Sequence, residues 1–249
     1  METYATYPLP FAPNDAALSP DHMHIVISND VLGELWVQTT AGGQSRMIVG
    51  PDSGAAMPSW SPDGKHILFY RSTNGGAWMI DPDGSNEHPI GSQPPAFAPQ
   101  FDPAWSPDGT LIAFDDDYNG APTPTLYVMN PDGTGAHAVP LPAGDTHGDA
   151  WEPAWSPDGG QLAFGRGTDS STVLWIANVD GSSARALVSA NEIPGSPSWS
   201  PNGDEIAFAS FSASPVDLAV VNIRSGAVRH LRSATSVAAE YSPHWIVWP

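Results

Sequence analysis

The stretch Gly144-Asp145-Thr146-His147-Gly148-Asp149-Ala150-Trp151-Glu152 gathers more chemistry than any other part of this 249-residue chain. His147 stands among three carboxylates, and an imidazole so placed can act as a base, an acid or a metal ligand. Trp151, flanked by Asp149 and Glu152, offers a flat apolar surface beside polar groups, which suits a sugar or a peptide side chain. A second acidic stretch is Asp115-Asp116-Asp117-Tyr118-Asn119-Gly120. Asp115, Asp117 and Asn119 alternate and Gly120 stands sixth, as in a calcium loop. The acid required at the twelfth position is absent, because Leu126 stands there. A solvated acidic loop fits the same residues.

Those residues need elements to hold them, and the chain supplies them as a repeat. Pro58-Ser59-Trp60-Ser61-Pro62-Asp63-Gly64 returns as 103–109, as 153–159 and, with Asn202 in place of Asp, as 197–203. Ser19-Pro20-Asp21 and Ser242-Pro243 are degenerate copies at either end. Each Asp-Gly is followed by an apolar run, such as Ile67-Leu68-Phe69-Tyr70 or Ile206-Ala207-Phe208. A variable stretch and a second run follow, for example Trp78-Met79-Ile80 or Leu174-Trp175-Ile176. Asp-Gly between apolar runs signals a tight hairpin, because such turns need positive φ. Four antiparallel strands in a unit of roughly 40–45 residues make one blade of a propeller.

The Trp-Ser-Pro-Asp-Gly turn, the Ile-Ala-Phe run and the later Leu-Tyr-Val-Met-Asn-x-Asp-Gly pattern resemble the repeat of TolB-like β-propeller proteins. The resemblance spans residues 17–243. It implies an all-β, six-bladed propeller of four-stranded antiparallel blades, forming a single domain. The repeats fall at about 14–50, 55–91, 100–141, 150–189, 194–233 and 237–249. The last is short, so residues 3–9 are expected to join the C-terminal strands and close the ring, which removes exposed sheet edges.

The resemblance also implies two unlike faces. The Ser-Pro-Asp-Gly turns and later Asp-Gly turns share one face and read as architecture. Irregular connections share the other: Tyr70–Ala77, Asp115–Thr125, Gly165–Thr172 and Ser210–Val216 within blades, and Gly50–Met57, Gly91–Phe101, Leu141–Trp151 and Ser189–Ser196 between them. Variable loops on a rigid scaffold are where binding usually resides. The position before each Pro-x-Trp-Ser-Pro, or its degenerate counterpart, should stand near the mouth of the central channel. Its occupants are Asp15, Met57, Asp102, Glu152, Ser196 and Ala238. Asp15, Asp102 and Glu152 suit Ca²⁺ or another divalent cation, a basic partner, or the capping of nearby backbone amides. Met57, Phe101, Asp102, Tyr118, His147, Asp149, Trp151 and Glu152 are the ligand-binding candidates, with Asp15. Arg71 and Arg166, which follow second strands, belong to the same ligand-binding candidates and are expected to pair with those carboxylates.

Composition narrows the partners. With 27 acidic and 8 basic residues the formal charge is −19, which disfavours nucleic acid and anionic membranes. A protein, a peptide or a carbohydrate is the expected ligand. No apolar run is long enough to span a membrane, and a monomer is expected. There is no cysteine, so disulfides and thiolate metal sites are excluded. Residues 1–13 lack the basic and apolar segments of a signal peptide. The compartment is therefore periplasmic or extracellular if the chain is a mature domain, and cytoplasmic otherwise. G-x-S-x-G, H-E-x-x-H and phosphate-binding glycine loops are absent. Two functions remain: a non-catalytic binding module of the TolB-like kind, or a small metal-assisted glycan hydrolase or lyase using His147, Glu152 and the channel-mouth carboxylates.

Overall fold

A computed structural model describes residues 15–73, 75–90, 100–116, 126–141, 149–168, 171–188, 192, 194–212 and 217–231. These residues form five four-stranded antiparallel sheets, one per repeat. Blade 1 holds β1 (Ala16–Leu18), β2 (His24–Asn29), β3 (Glu34–Thr39) and β4 (Arg46–Val49). Blade 2 holds β5 (Ala55–Trp60), β6 (Ile67–Arg71), β7 (Ala77–Ile80) and β8 (His88–Pro89). Blade 3 is β9 (Gln100–Trp105), β10 (Ile112–Asp116), β11 (Leu126–Met129) and β12 (His137–Ala138). Blade 4 is β13 (Asp149–Trp155), β14 (Gln161–Thr168), β15 (Ser171–Asn178) and β16 (Arg185–Val188). Blade 5 is β17 (Pro194–Trp199), β18 (Glu205–Ser210), β19 (Asp217–Asn222) and β20 (Val228–Leu231). The first strands β1, β5, β9, β13 and β17 lie beside one another in turn around the centre. Five blades stand where six were expected, because the residues assigned to the sixth, 3–9 and 237–249, lie outside the described ones.

The repeat motif has a physical reason at each position. Ser61 donates its hydroxyl to Asp63 Oδ1 at 2.7 Å and accepts the His66 amide at 2.9 Å. Asp63 Oδ1 also accepts the Lys65 amide, and Gly64 donates to the Ser61 carbonyl at 2.9 Å. Gly64 has φ +70°, a conformation that only glycine adopts without strain. Ser106 with Asp108, Ser156 with Asp158 and Ser200 with Asn202 repeat the arrangement. Asp63, thus bonded, has its pKa lowered to about 2, first by the Ser61 hydroxyl. Trp60, Trp155 and Trp199 donate their indole N–H to Ala17, Ala104 and Ala154 of the preceding blade at 3.0–3.1 Å. Phe69, Phe114, Phe164 and Phe208, from the second strands of blades 2 to 5, are fully buried between blades.

Strand β18 is buried on both faces. Ile206 and Phe208 point into the cluster shared with blade 4. Ala207 and Ala209 alternate with them and point the other way. Ala209 and its neighbour on that face, Val220, are 0% and 1% exposed.

Candidate functional site

The channel mouth is built by one bulge used four times. Pairing between first and second strands shifts register at Ala56/Ser59, Ala113/Asp115, Trp151/Ala154 and Gly195/Ser198. Each bulge contains a non-glycine residue with positive φ: Met57 at 55°, Asp102 at 45°, Glu152 at 53° and Ser196 at 48°. These are the four central occupants of the expected mouth position. The left-handed conformation turns their amides away from the regular ladder, so those N–H groups need other acceptors.

Carboxylates supply two of them. Asp115 Oδ2 accepts the Glu152 amide at 3.1 Å, from blade 3 to blade 4. Glu152 Oε2 accepts the Ser196 amide, from blade 4 to blade 5. Amide capping and the mouth position therefore meet in the side chain of Glu152. Asp115 lies on β10, not in a loop as its sequence neighbours suggested, and is 1% exposed. In register it matches Tyr70, Gly165 and Ala209 of the other blades.

Asp102 completes the cluster. It keeps part of its surface accessible, yet protein surrounds its carboxyl, and lost hydration pushes its pKa well above the usual carboxylate range. The charges of Asp115, Glu152 and Asp15, and a hydrogen bond shared with the Asp115 side chain, push it the same way. A hydrogen bond between two carboxyl groups needs a proton on one of them. Glu152 is also raised: burial outweighs the opposing hydrogen bonds from the Ser196 amide and hydroxyl, and Asp15 adds repulsion. Asp15, Asp102, Asp115 and Glu152 thus concentrate negative potential from three blades.

Aromatic rings border this cluster. A Cβ on Gly165 would stand 2.5 Å from Trp151 Nε1, so the indole lies flat across that glycine. The Phe211 ring likewise crosses Gly195, beside Glu152 Oε2, and Phe211 is 39% exposed. Gly165 and Gly195 leave room that any other residue would fill.

Arg71 pairs with a carboxylate other than those of the mouth. Arg71 bonds Glu87 at 2.6 Å, on the outer side of blade 2, and lies 4.6 Å from the Trp78 ring centre. Arg166 lies 5.1 Å from the Trp175 ring centre and is buried within β14, which extends to Thr168. Both sit on third-strand indoles, because a guanidinium stacks well on an aromatic face.

His147 and Tyr118, with Asp117, Asn119 and Gly120, lie outside the described residues. Phe101 and Asp149 are placed by their backbone alone, at the start of β9 and β13. Among the described residues no three His, Asp or Glu side chains gather closely enough to hold a metal ion. Asp15, Asp102 and Glu152 thus share an electrostatic field without forming a coordination set. His88 and His137 bond the nearby carbonyls of Asn86 and Gly135. Sequence reasoning missed Asp115 as a mouth residue, and Phe211; the Phe-Asp step at 114–115, where other repeats have Tyr, Gly or Ala after Phe, was the available signal.

The turn face is not featureless. A cavity of about 380 Å³ lies between blades 1 and 2, bordered by His24, Arg46, Trp60 and Asp63. Its polar groups are largely committed: Arg46 bonds the Pro82 and Asp83 carbonyls, and Asp63 holds its own turn.

Four-stranded antiparallel blades around a mouth of inner-strand bulges define a β-propeller. Its fold is TolB-like. A putative TolB from Agrobacterium tumefaciens superposes with a TM-score of 0.75 and 20% identity, over 90% of this chain and 82% of that one. TolB from Acinetobacter baumannii gives 0.66 and 21%, over 87% of this chain and 51% of its own. An oligogalacturonate lyase in complex with manganese gives 0.63 and 17%, over 89% and 65%. No family model and no curated protein matches the sequence. Propellers host unrelated functions, so these likenesses establish the fold alone.

Proposed function

We propose that the chain is a non-catalytic binding module that receives a positively charged protein or peptide segment at the loop-face mouth of its channel. One observation carries this reading: burial first, and then the charges of Asp115, Glu152 and Asp15, hold Asp102 well above the usual carboxylate range. Negative charge so crowded is relieved by an ammonium or guanidinium brought into it. Trp151 and Phe211 add apolar surface along which the stem of a Lys or Arg side chain packs. The formal charge of −19 steers such a partner inward. A glycan hydrolase or lyase would need His147 and a metal; His147 lies outside the described residues, and no observation at the mouth favours that chemistry.

Titration calorimetry with pentalysine at low salt tests the reading. Binding is expected, weakened by Asp102→Asn and further by Asp102→Asn with Glu152→Gln. Absence of binding, or binding unaltered by both substitutions, would overturn it.

We also propose that residues 3–9 and 237–249 complete a sixth blade. The burial of Ala209 and Val220 on the face turned from blade 4 supports a further layer there. Deleting residues 3–9 should lower the melting temperature; an unchanged value would refute the closure.

A further inference from the structure

The connection between β2 and β3 carries Val31 and Leu32 at its tip, 86% and 49% exposed. Exposed apolar side chains are common, but these are held with unusual firmness. Leu32 and Gly33 donate their amides to the Asn29 carbonyl at 3.1 and 2.7 Å. Asn29 and Glu34, both buried, bond each other, and Trp36 donates its indole N–H to Glu34 at 3.0 Å. The tip is fastened to the connection between blades 1 and 2. Asp52 donates its amide to the Leu32 carbonyl at 2.8 Å, and the Gly33 carbonyl accepts from the Ser53 hydroxyl and the Ala55 amide. Gly33 and Gly54 pack backbone to backbone, with no room for a side chain on Gly33. The next loop joins the belt, because Ser72 donates to the Gly54 carbonyl and Thr73 to the Ser53 carbonyl.

Asp52, bonded to Leu32, follows exposed Pro51, so three exposed apolar residues, Val31, Leu32 and Pro51, belong to this fastened tip. Exposed Asp30 and Asp52 flank it. A rigid tip has little conformational freedom left to lose on binding, so its apolar atoms contribute more fully to affinity. Apolar anchors with charged rims are the usual anatomy of an interface centre.

We infer that the Val31–Leu32 tip is a second contact of the loop face, which pairs with apolar side chains of a partner segment bordered by Lys or Arg. The sign of the border follows from Asp30 and Asp52 and from the charge of the whole chain, which also opposes pairing with a second copy. This inference rests on the basic-partner reading of the channel mouth and adds an apolar requirement to it.

Two 14-residue peptides of alternating Lys-Leu and alternating Lys-Gly separate the two ideas. On the wild type, Lys-Leu should bind about tenfold tighter or more, the loss typical of truncating an interface anchor. Val31→Ser with Leu32→Ser should remove that difference and leave the Lys-Gly affinity and the melting temperature unchanged, since both side chains are exposed. Equal affinity of the two peptides would overturn the apolar contact and leave the basic-partner reading standing. A preference for Lys-Leu that survives the double substitution would overturn the assignment to this tip. Binding of neither peptide would overturn both. Sedimentation equilibrium covers the remaining occupant: a wild-type dimer that the double substitution dissolves would make a second copy the partner and overturn the inference.

Discussion

Asp115 reaches from the second strand of blade 3 to hold the backbone amide of Glu152 in blade 4, with Oδ2 at 3.1 Å. It also shares a hydrogen bond with the Asp102 side chain. One carboxyl group thus serves as a joint between blades and as a source of the field at the mouth. Substitutions separate the two roles. Asp115→Ala removes the acceptor and leaves a displaced amide unsatisfied, which should cost about 1–3 kcal/mol in urea unfolding. Asp115→Asn keeps an acceptor, gives Asp102 a neutral donor, and removes one charge. It should match or exceed wild-type stability at pH 7 and bring the Asp102 pKa down, as carboxyl NMR titration would read. If both variants lose stability equally, the joint depends on the charge and the separation fails.

Stability should fall as pH rises through the weakly acidic range. Asp102 and Glu152 have folded-state pKa values above their ordinary ones. Below the ordinary carboxylate range both folded and unfolded chains hold these protons, and the contribution is fully present. Above it the unfolded chain releases them first, so folding must retain protons or accept crowded charge, and stability is lost until the raised values are passed. The turn aspartates act oppositely. Asp63, at about 2, and Asp108 and Asp158, lowered by their Ser106 and Ser156 hydroxyls, contribute above the ordinary range and lose that contribution in strong acid. They are exposed, so water screens their share. Thermal unfolding from pH 3 to 8 should show a wild-type decline toward pH 8 that Asp102→Asn flattens. A parallel decline in that variant would place the effect elsewhere.

The tryptophans that recur in the repeats include one exception. Trp60, Trp155 and Trp199 each bond the preceding blade, whereas Trp105 Nε1 is buried with no acceptor among the described residues. Replacement by Phe removes similar volume at each site but a hydrogen bond only at the first three. Trp155→Phe and Trp199→Phe should therefore each cost about 1 kcal/mol more than Trp105→Phe in denaturant unfolding. Equal costs would mean that the indole bonds add nothing to the packing between blades.

What the sequence made legible follows from what repeats. Ser-Pro-Asp-Gly closes a turn with its own side chains, so its meaning is local and each copy states it again. The strands between Asp-Gly turns were legible for the same reason. The position before Pro-x-Trp-Ser-Pro was legible as a repeat position: Asp102 and Glu152 share a left-handed bulge there. Its partners were not, because they belong to single blades. Asp115 looked like the start of an acidic loop, since nothing local distinguishes a strand end from a turn in Asp-Asp-Asp. Arg71 was assigned by charge alone, and Glu87 and the indole of Trp78 decided its place instead. Phe211 reaches the mouth only because Gly195, sixteen positions away in sequence but on the adjacent strand, has no side chain.

The fifth repeat replaces the turn aspartate by Asn202, and its neighbour explains why. Asn202 Oδ1 accepts the Ser200 hydroxyl at 2.7 Å and the Asp204 amide at 3.2 Å, which reproduces the acceptor role of Asp63. Its amide nitrogen then donates to Asp204 Oδ2 at 3.2 Å. At the position of Asp204 the other strong repeats carry Lys65, Thr110 and Gly160. An aspartate at 202 would lose that donor and face a like charge. Asn202→Asp should therefore destabilise by about 0.2–1 kcal/mol, the scale of exposed charge pairs, and the cost should shrink at high salt. Asp204→Thr alone gives up the Asn202 contact and an exposed pair with Arg224. In combination with Asn202→Asp it restores the arrangement of Asp108 and Thr110, where the threonine amide and hydroxyl both bond the aspartate. The double variant should thus be more stable than the sum of the single changes. An Asn202→Asp protein as stable as wild type at low salt would show that the repeat tolerates either residue and that Asp204 does not select between them.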